Sequence, residues 1–429
     1  MPEILMPLSV AHINFSDAQG GAAAVMHNLV QAHRRAGINC TVFSARPVRA
    51  GSRLLGFGIK NKAHLLLKIL QKASVIRNSI MNDSAGVCSS LYYKQLTSPV
   101  PDIYHVHNIH GGWFSLGLLP LLAKKAPIVW TLHDEWAITG HCVATLGCER
   151  WRLGCGDCPH LDTMVSVWRD NTAANWLKRK QIYAQLSDAG STMVPVSKWL
   201  AQRVSESPIW KGPIVAIPNG IDTNIFYPSS KSEARKALGL DSSSKIVLCG
   251  AVGGTNNPFK NTGLIFDVLN HLQPKQKITI ILLGNENRTY KNNQFISYVT
   301  PGHITDRELM RKYYVAADLV FYPSKADSFG LIVAEAMACR TPVMALAIGG
   351  ICEIVEPDYN GCLFADDASA KDIEQTMKLL LENQNKLNDL GEKAHRTIKE
   401  KYSLDIMAQQ YLDLYSSVIQ KRKKQEIAG

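Results

Sequence analysis

The 429-residue sequence predicts an α/β protein built from two successive doubly wound parallel-sheet domains. Three observations carry that prediction. The length exceeds what one hydrophobic core usually supports, so two domains are expected. An apolar run, Leu8 to Phe15, passes through Ser16-Asp17-Ala18-Gln19-Gly20-Gly21 into a helical pattern and then a second apolar run, the rhythm of a βαβ unit. A second start of the same kind appears near Ile246.

The elements follow in order. The helical pattern from Ala22 to about Ala36 puts Val25, Leu29, Val30 and Ala32 on one side, and Gly37 stops it. Cys40-Thr41-Val42-Phe43 is the next strand. Ile103 to His107, a helix near Leu116 to Lys124, and the strand Ile128 to Leu132 continue the alternation. Met193 to Val196 and Ile214 to Ile217 are expected as the last two strands of the first half. The second half offers strands at Ile246 to Gly250, Ile278 to Leu283, Leu319 to Tyr322 and Val343 to Ala345. The expected division is a first domain over 1–210 and a second over 211–403. A C-terminal helix and basic tail over 404–429 is expected to pack back toward the first domain.

Hydrophobic residues make up 46% and charged residues 19%, which excludes wholesale disorder. The net charge of +11 favours anionic partners but does not choose among nucleic acid, membrane and phosphorylated substrate. The start, Met1-Pro2-Glu3, lacks a signal-peptide pattern, and no run reaches the roughly 18 apolar residues of a transmembrane helix. A cytoplasmic protein is expected, working at the inner face of the cytoplasmic membrane. In such a compartment ten cysteines do not make a disulfide framework. Cys40, Cys88, Cys249, Cys339, Cys352 and Cys362 read as small buried apolar residues.

Two loops look built for ligands. In Ser16 to Gly21, Gly20 and Gly21 let backbone amides approach a ligand at a helix N-terminus, although the pattern is not the G-x-G-x-x-G dinucleotide fingerprint. Pro323-Ser324-Lys325-Ala326-Asp327-Ser328-Phe329-Gly330-Leu331-Ile332-Val333-Ala334-Glu335-Ala336-Met337-Ala338 joins an apolar strand to an apolar helix. Asp327 falls in the loop and Glu335 about two turns into the helix. Such a loop lies at the carboxyl edge of a sheet, where ligands bind. The amides of Phe329, Gly330 and Leu331 are candidates for holding an anion there.

With Gly349-Gly350-Ile351-Cys352-Glu353-Ile354-Val355, this segment resembles the retaining glycosyltransferases of group 4, which adopt the two-Rossmann GT-B fold with domains facing a central cleft. The resemblance implies a nucleotide-diphosphate-sugar donor. That family carries a Glu-x7-Glu motif here, the first acid contacting the donor sugar and the second the ribose. Glu335 matches the second, and Asp327 replaces the first. It also carries an Arg and then a Lys that grip the donor diphosphate. Lys260 matches the Lys. The loop Gly250 to Lys260 contains no Arg, and the amides of Gly253 and Gly254 are the expected substitutes. Gly20 and Gly21, Ile217 to Asp222 and Tyr402 to Tyr415 extend the resemblance over most of the chain.

Asp102 to Asn108 and Thr131-Leu132-His133-Asp134 are expected at strand ends of the first domain. By resemblance His133 contacts the donor sugar, and Asp134 orients the acceptor or relays a proton. His141-Cys142-x5-Cys148-x6-Cys155-Gly156-Asp157-Cys158 has spacings that suit a structural Zn²⁺ held by Cys142, Cys148, Cys155 and Cys158. Reduced, packed cysteines are the competing reading. The stretch His133 to Pro159 resembles glycosyltransferases of colanic acid and related exopolysaccharide clusters, which implies a glycan or lipid-linked acceptor. Residues 53–80 interleave apolar residues with Arg53, Lys60, Lys62, Lys68, Lys72 and Arg77, a pattern for contact with an anionic membrane or for docking on the chain's own domain.

The expected enzyme is therefore a hexosyltransferase with no catalytic cofactor or metal and no nucleic-acid partner. Three readings compete: a GT-B nucleotide-sugar epimerase, a nicotinamide oxidoreductase, and a basic scaffold or nucleic-acid-binding protein with a zinc knuckle.

Overall fold

A computed structural model describes residues 8–54, 89–163, 166–250, 259–284 and 293–428. The candidate ligands Gly253 and Gly254, Cys88 and the basic stretch beyond Leu54 lie outside the described residues. The chain divides into two compact units, Met1–Pro218 with Met407–Gly429, and Asn219–Ile406.

In the first unit the strands are β1 (Ser9–Ser16), β2 (Asn39–Arg46), β3 (Ser52–Leu54), β4 (Ile103–Val106), β5 (Ile128–Leu132) and β6 (Thr192–Pro195). All pair in parallel, in the order β3-β2-β1-β4-β5-β6. In the second unit β7 (Lys245–Gly250), β8 (Ile278–Leu283), β9 (Ile296–Gly302), β10 (Leu319–Tyr322), β11 (Val343–Leu346) and β12 (Gly361–Phe364) pair in parallel, in the order β12-β11-β10-β7-β8-β9. Each sheet starts in the middle, grows to one side, and then returns to grow on the other. This is the doubly wound order, and it opens a crevice at the carboxyl ends of the first and fourth strands. In the first unit that switch point lies between β1 and β4, and in the second between β7 and β10.

Continuous apolar runs become strands buried on both faces, as a parallel sheet requires. Every residue of β4, β5, β8, β10 and β11 is buried. Val247, Cys249, Ile280, Leu282, Phe321 and Met344 pack one face of the second sheet against Ile265, Val268, Ile373 and Met377. Each such side chain contributes on the order of 1.5–3 kcal/mol by leaving water.

Several expectations need correction. The stretch Ile214–Ile217 is not a strand of its own. It runs beside β6 as a single bridge, Met193 to Ile214, because Pro213 and Pro218 bound it and donate no amide. Its amides at Val215 and Ile217 bond Met193 and Pro195, so the first unit extends to Pro218 rather than ending near residue 210. The final helix is Leu404–Ala428, so the basic residues Lys421 to Lys424 sit within it rather than in a tail. Cys40, Cys249 and Cys339 are buried, but Cys362 is only partly so and Cys352 is exposed. Among the described residues no helix is long and apolar enough to cross a membrane.

Candidate functional site

At the second unit's switch point, three side chains form one polar group. Tyr322 ends β10 and is buried. Its hydroxyl donates to Asp327 Oδ2 at 2.8 Å and accepts from Lys260 Nζ. The ammonium lies 3.7 Å from the same carboxylate oxygen. The loop that carries Lys260 is fixed because Phe259 accepts from Ser324 Oγ at 2.8 Å and from the Lys325 amide at 2.7 Å. Asp327 is oriented by its own loop, accepting from the Phe329 amide at 3.2 Å and the Gly330 amide at 2.8 Å. Two of the three amides expected to hold a ligand anion therefore serve Asp327 instead, since a carboxylate at a helix start satisfies orphan donors. Gly330 has φ +96, a left-handed conformation that favours glycine, and an added Cβ would lie 2.9 Å from Ile351 Cγ1. At Gly350 an added Cβ would lie 2.3 Å from Ser328 O, so Gly349-Gly350 presses directly on the Asp327 loop.

Glu335 has a different partner. It is the one acid of the helix Leu331–Ala338, half-buried among Ala334, Ala336 and Met337. Tyr314 donates to its Oε2 at 3.0 Å. Burial pushes its carboxyl up to about 7, against the lowering pull of Arg307 and the Tyr314 hydrogen bond. A carboxyl tuned in this way at a sheet edge marks a functional site more often than a structural one.

At the first unit's switch point, histidines dominate. His12 on β1 is the cross-strand partner of His105 on β4. His12 Nδ1 meets His107 Nε2 at 3.2 Å, and His107 Nδ1 meets His133 Nε2 at 3.1 Å. His105 is held by Tyr415 at 2.6 Å and Thr131 at 2.7 Å, and Thr131 also meets Tyr411 at 2.6 Å. Burial drives His12, His105 and His107 well below the usual histidine range, and the neighbouring rings add to the effect. His133 falls to about 4, burial outweighing the opposing pull of Asp134. All four are therefore neutral at pH 7. Burial alone would raise the Asp134 carboxyl, but hydrogen bonds from His110 and the Trp136 amide outweigh it and hold the group below its ordinary value. His110 Nε2 lies 3.4 Å from Asp134 Oδ2. A cavity is lined by His107, His110, His133 and Asp134. Gly20, with φ +90, is the N-cap of the helix Gly21–Arg35 at the end of β1.

Sequence reasoning missed Tyr314, Tyr322, His12 and His107 as site residues. The H-x-H spacing at His105 and His107, followed by His133 at the next strand end, was the available signal. The tyrosines gave none, because aromatic residues in apolar elements read as core.

Residues 230–397 match the family described as "Glycosyl transferases group 1", and residues 19–225 match "Glycosyltransferase Family 4". The sequence is 23% identical over 364 residues to a protein of Escherichia coli K12 named for colanic acid biosynthesis, the glycosyl transferase WcaC, covering 79% of this chain and 83% of that one. The structure is similar to that of sucrose-phosphate synthase from Thermosynechococcus elongatus, with TM-score 0.66, 19% identity, and 96% and 100% of the two chains covered. It is also similar to Anabaena Alr3699/HepE in complex with UDP-glucose, with TM-score 0.63, 16% identity, and the same coverage. The two sheets are thus the two Rossmann-like domains of the GT-B class. The matches favour none of the competing readings.

Proposed function

We propose that this chain, which belongs to the glycosyltransferases and carries their two family domains in order, moves a sugar from a nucleotide-diphosphate sugar to a glycan acceptor with retention of configuration, in bacterial surface-polysaccharide assembly. The observation that carries the donor site is Glu335. A half-buried carboxyl whose ionisation opposes its own burial is of little use to folding, and it suits the paired hydroxyls of a ribose.

In the reaction, the bond between the anomeric carbon and the diphosphate breaks, and a bond to the acceptor oxygen forms on the same face. Negative charge builds on the leaving phosphate, which also takes the acceptor's proton. Lys260 supplies a fixed positive charge there, already oriented by Tyr322 and Asp327. Asp327 holds hydroxyls of the donor sugar, and its loop amides keep it in place. Neutral His133 offers a hydrogen bond to a sugar hydroxyl without adding charge, and Asp134 orients the acceptor. None of these steps draws on a metal or cofactor. The acceptor is lipid-linked, and the basic apolar stretch 53–80 meets the anionic face of the membrane. Reversing the charges of Lys60, Lys62, Lys68 and Lys72 then lowers co-sedimentation with anionic vesicles.

The donor site is tested by a thermal-shift panel of nucleoside diphosphates and nucleotide sugars. A ligand that binds only the folded state raises the melting temperature by mass action. One base is expected to stabilise the native protein and not Glu335→Ala. No shift with any member, in folded protein, overturns the proposal.

A further inference from the structure

A second cluster of reactive side chains lies in the first unit between β5 and β6, and the sugar-transfer reading does not use it. Cys142, Cys148, Cys155 and Cys158 are free thiols lining one cavity together with His141. Two donors already address the sulfurs. The Gly140 amide donates to Cys155 Sγ at 3.2 Å, and His141 Nε2 lies 3.3 Å from Cys158 Sγ. Thiolates accept such bonds far better than thiols do.

The decisive observation is Arg179. It stands on the helix Thr172–Asp188 and is only 1% exposed. Its guanidinium stacks on Trp136 at 3.9 Å and gives one nitrogen to the carbonyls of Trp136 and Thr139. Among the described residues no carboxylate forms an ion pair with it, and its Nε and Nη2 are buried without a partner. The ionisable groups acting on it are, in order, Tyr183, Cys155, Cys142 and Asp134, and Asp134 acts at a distance without forming an ion pair with it. A buried cation needs a compensating anion. Neutral thiols do not provide one.

We propose that Cys142, Cys148, Cys155 and Cys158 bind one Zn²⁺ as thiolates, that Arg179 is the buried counter-charge of this centre, and that His141 donates to Cys158. Four thiols lose four protons to solvent, and the resulting tetrathiolate zinc centre carries two negative charges. No oxidant is consumed.

Among the described residues, sets of three ligand atoms within 4.8 Å of one another occur in His12, His105 and His107 and in His12, His33 and Cys40, not among the four cysteines. Holding Zn²⁺ at the four cysteines therefore requires their sulfurs to approach one another. His12 and His107 already bond to each other, and both ring nitrogens of His105 are engaged. The zinc centre clamps the loop that follows His133 and Asp134, where Cys155 and Asp157 hold left-handed backbone at φ 59 and φ 43.

The test uses the full chain, purified without chelator and analysed by elemental mass spectrometry. The expected result is about one zinc per chain, as a single tetrahedral site requires. It is lost in the double variant Cys148→Ser/Cys158→Ser and kept in Cys362→Ser. Should the double variant fail to fold, the wild-type chain exchanged with Co²⁺ decides: strong visible bands of tetrahedral thiolate cobalt support the site, and their absence overturns it. Folded wild-type protein with less than about a tenth of a zinc per chain, zinc that survives the double substitution, or a disulfide among these four cysteines likewise overturns it.

Discussion

Replacing Glu335 with Gln should make the protein more stable and worse at binding its donor. The carboxyl rises from an ordinary 4.5 to about 7, burial being the main cause. At 1.36 kcal/mol per pH unit, that rise of about 2.5 is worth about 3 kcal/mol. Glu335 keeps some solvent contact, which trims the figure to about 2–3 kcal/mol. The sign follows from the raised value. Below pH 4.5 the group is protonated in both the folded and unfolded chain and costs nothing. Between pH 4.5 and 7 the unfolded chain ionises first, and stability is lost. Above 7 the full cost is present. Glutamine keeps an oxygen for the Tyr314 hydroxyl and carries no charge to desolvate. Calorimetry of the full chain at pH 8 should show the transition of the unit Asn219–Ile406 rising by roughly 4–12 °C in Glu335→Gln, at about 2–4 °C per kcal/mol, with the gain vanishing near pH 4.5. In the same variant, donor affinity should fall about 10- to 100-fold, the worth of a hydrogen bond to a charged acceptor. Wild-type affinity for a nucleotide sugar should drop about tenfold between pH 8 and pH 6 as the carboxylate is protonated, while the variant's profile stays flat. A variant no more stable than wild type at pH 8, or one that binds donor equally well, refutes the assignment.

Three further outcomes are expected. His12, His105, His107 and His133 are buried in neutral form, so the stability of the first unit holds above the unfolded value of about 6.5 and is lost as pH falls below it, by up to about 1.4 kcal/mol per pH unit for each of these rings; a urea midpoint that is flat from pH 7.5 to 5 contradicts this. Tyr322→Phe removes the hydroxyl shared by Lys260 and Asp327, so kcat/KM should fall about 10- to 100-fold with an unchanged circular-dichroism spectrum; an unaltered kcat/KM would remove Tyr322 from the site. Gly350→Ala forces a Cβ to within 2.3 Å of Ser328 O, so thermal unfolding should report a loss of about 1–3 kcal/mol together with weakened donor binding; a neutral substitution means the loop has slack.

The fold was legible because buried parallel strands are unbroken apolar runs, and β7, β8, β10 and β11 stand out as such. The edge strands of the second sheet did not stand out. β9 is only partly buried and ends at Pro301-Gly302, and β12 is four residues long with one buried position. Conversely, Ile214–Ile217 has strand composition but proline on both sides, and composition alone does not reveal that. For the candidate site, Asp327 and Glu335 are marked by their place in the strand-loop-helix segment, and Lys260 and His133 by the family resemblance. Their partners are not marked. Tyr322 and Tyr314 occupy a strand and a helix in which tyrosine is an ordinary core residue, and only the tertiary fold turns their hydroxyls toward the acids. The reassignment of the Phe329 and Gly330 amides has the same origin. A loop that offers amides to an anion also offers them to its own aspartate, and the aspartate is always present at high effective concentration.

The histidine chain shows how burial can set the chemistry of a partly buried residue at its end. Each of the two contacts, His12 to His107 and His107 to His133, is nitrogen against nitrogen and holds one proton. With every ring neutral, only two arrangements exist. Either His133 Nε2 donates inward, which leaves its Nδ1 a bare acceptor and gives His12 an Nε2 proton, or His12 donates outward, His133 keeps its proton on Nδ1 and His12 Nε2 is a lone pair. Among the described residues His12 Nε2 has no partner. An unsatisfied N–H and an unsatisfied lone pair are both costly when buried, so neither direction wins by a wide margin at that end. The bias must come from the other end, from what His133 Nδ1 meets. A sugar hydroxyl both donates and accepts, and either arrangement can receive it. On the proposed reading, the chain would let His133 match a sugar hydroxyl without taking on a charge, and Asp134, held below its ordinary value beside it, would remain the only charge of the pair.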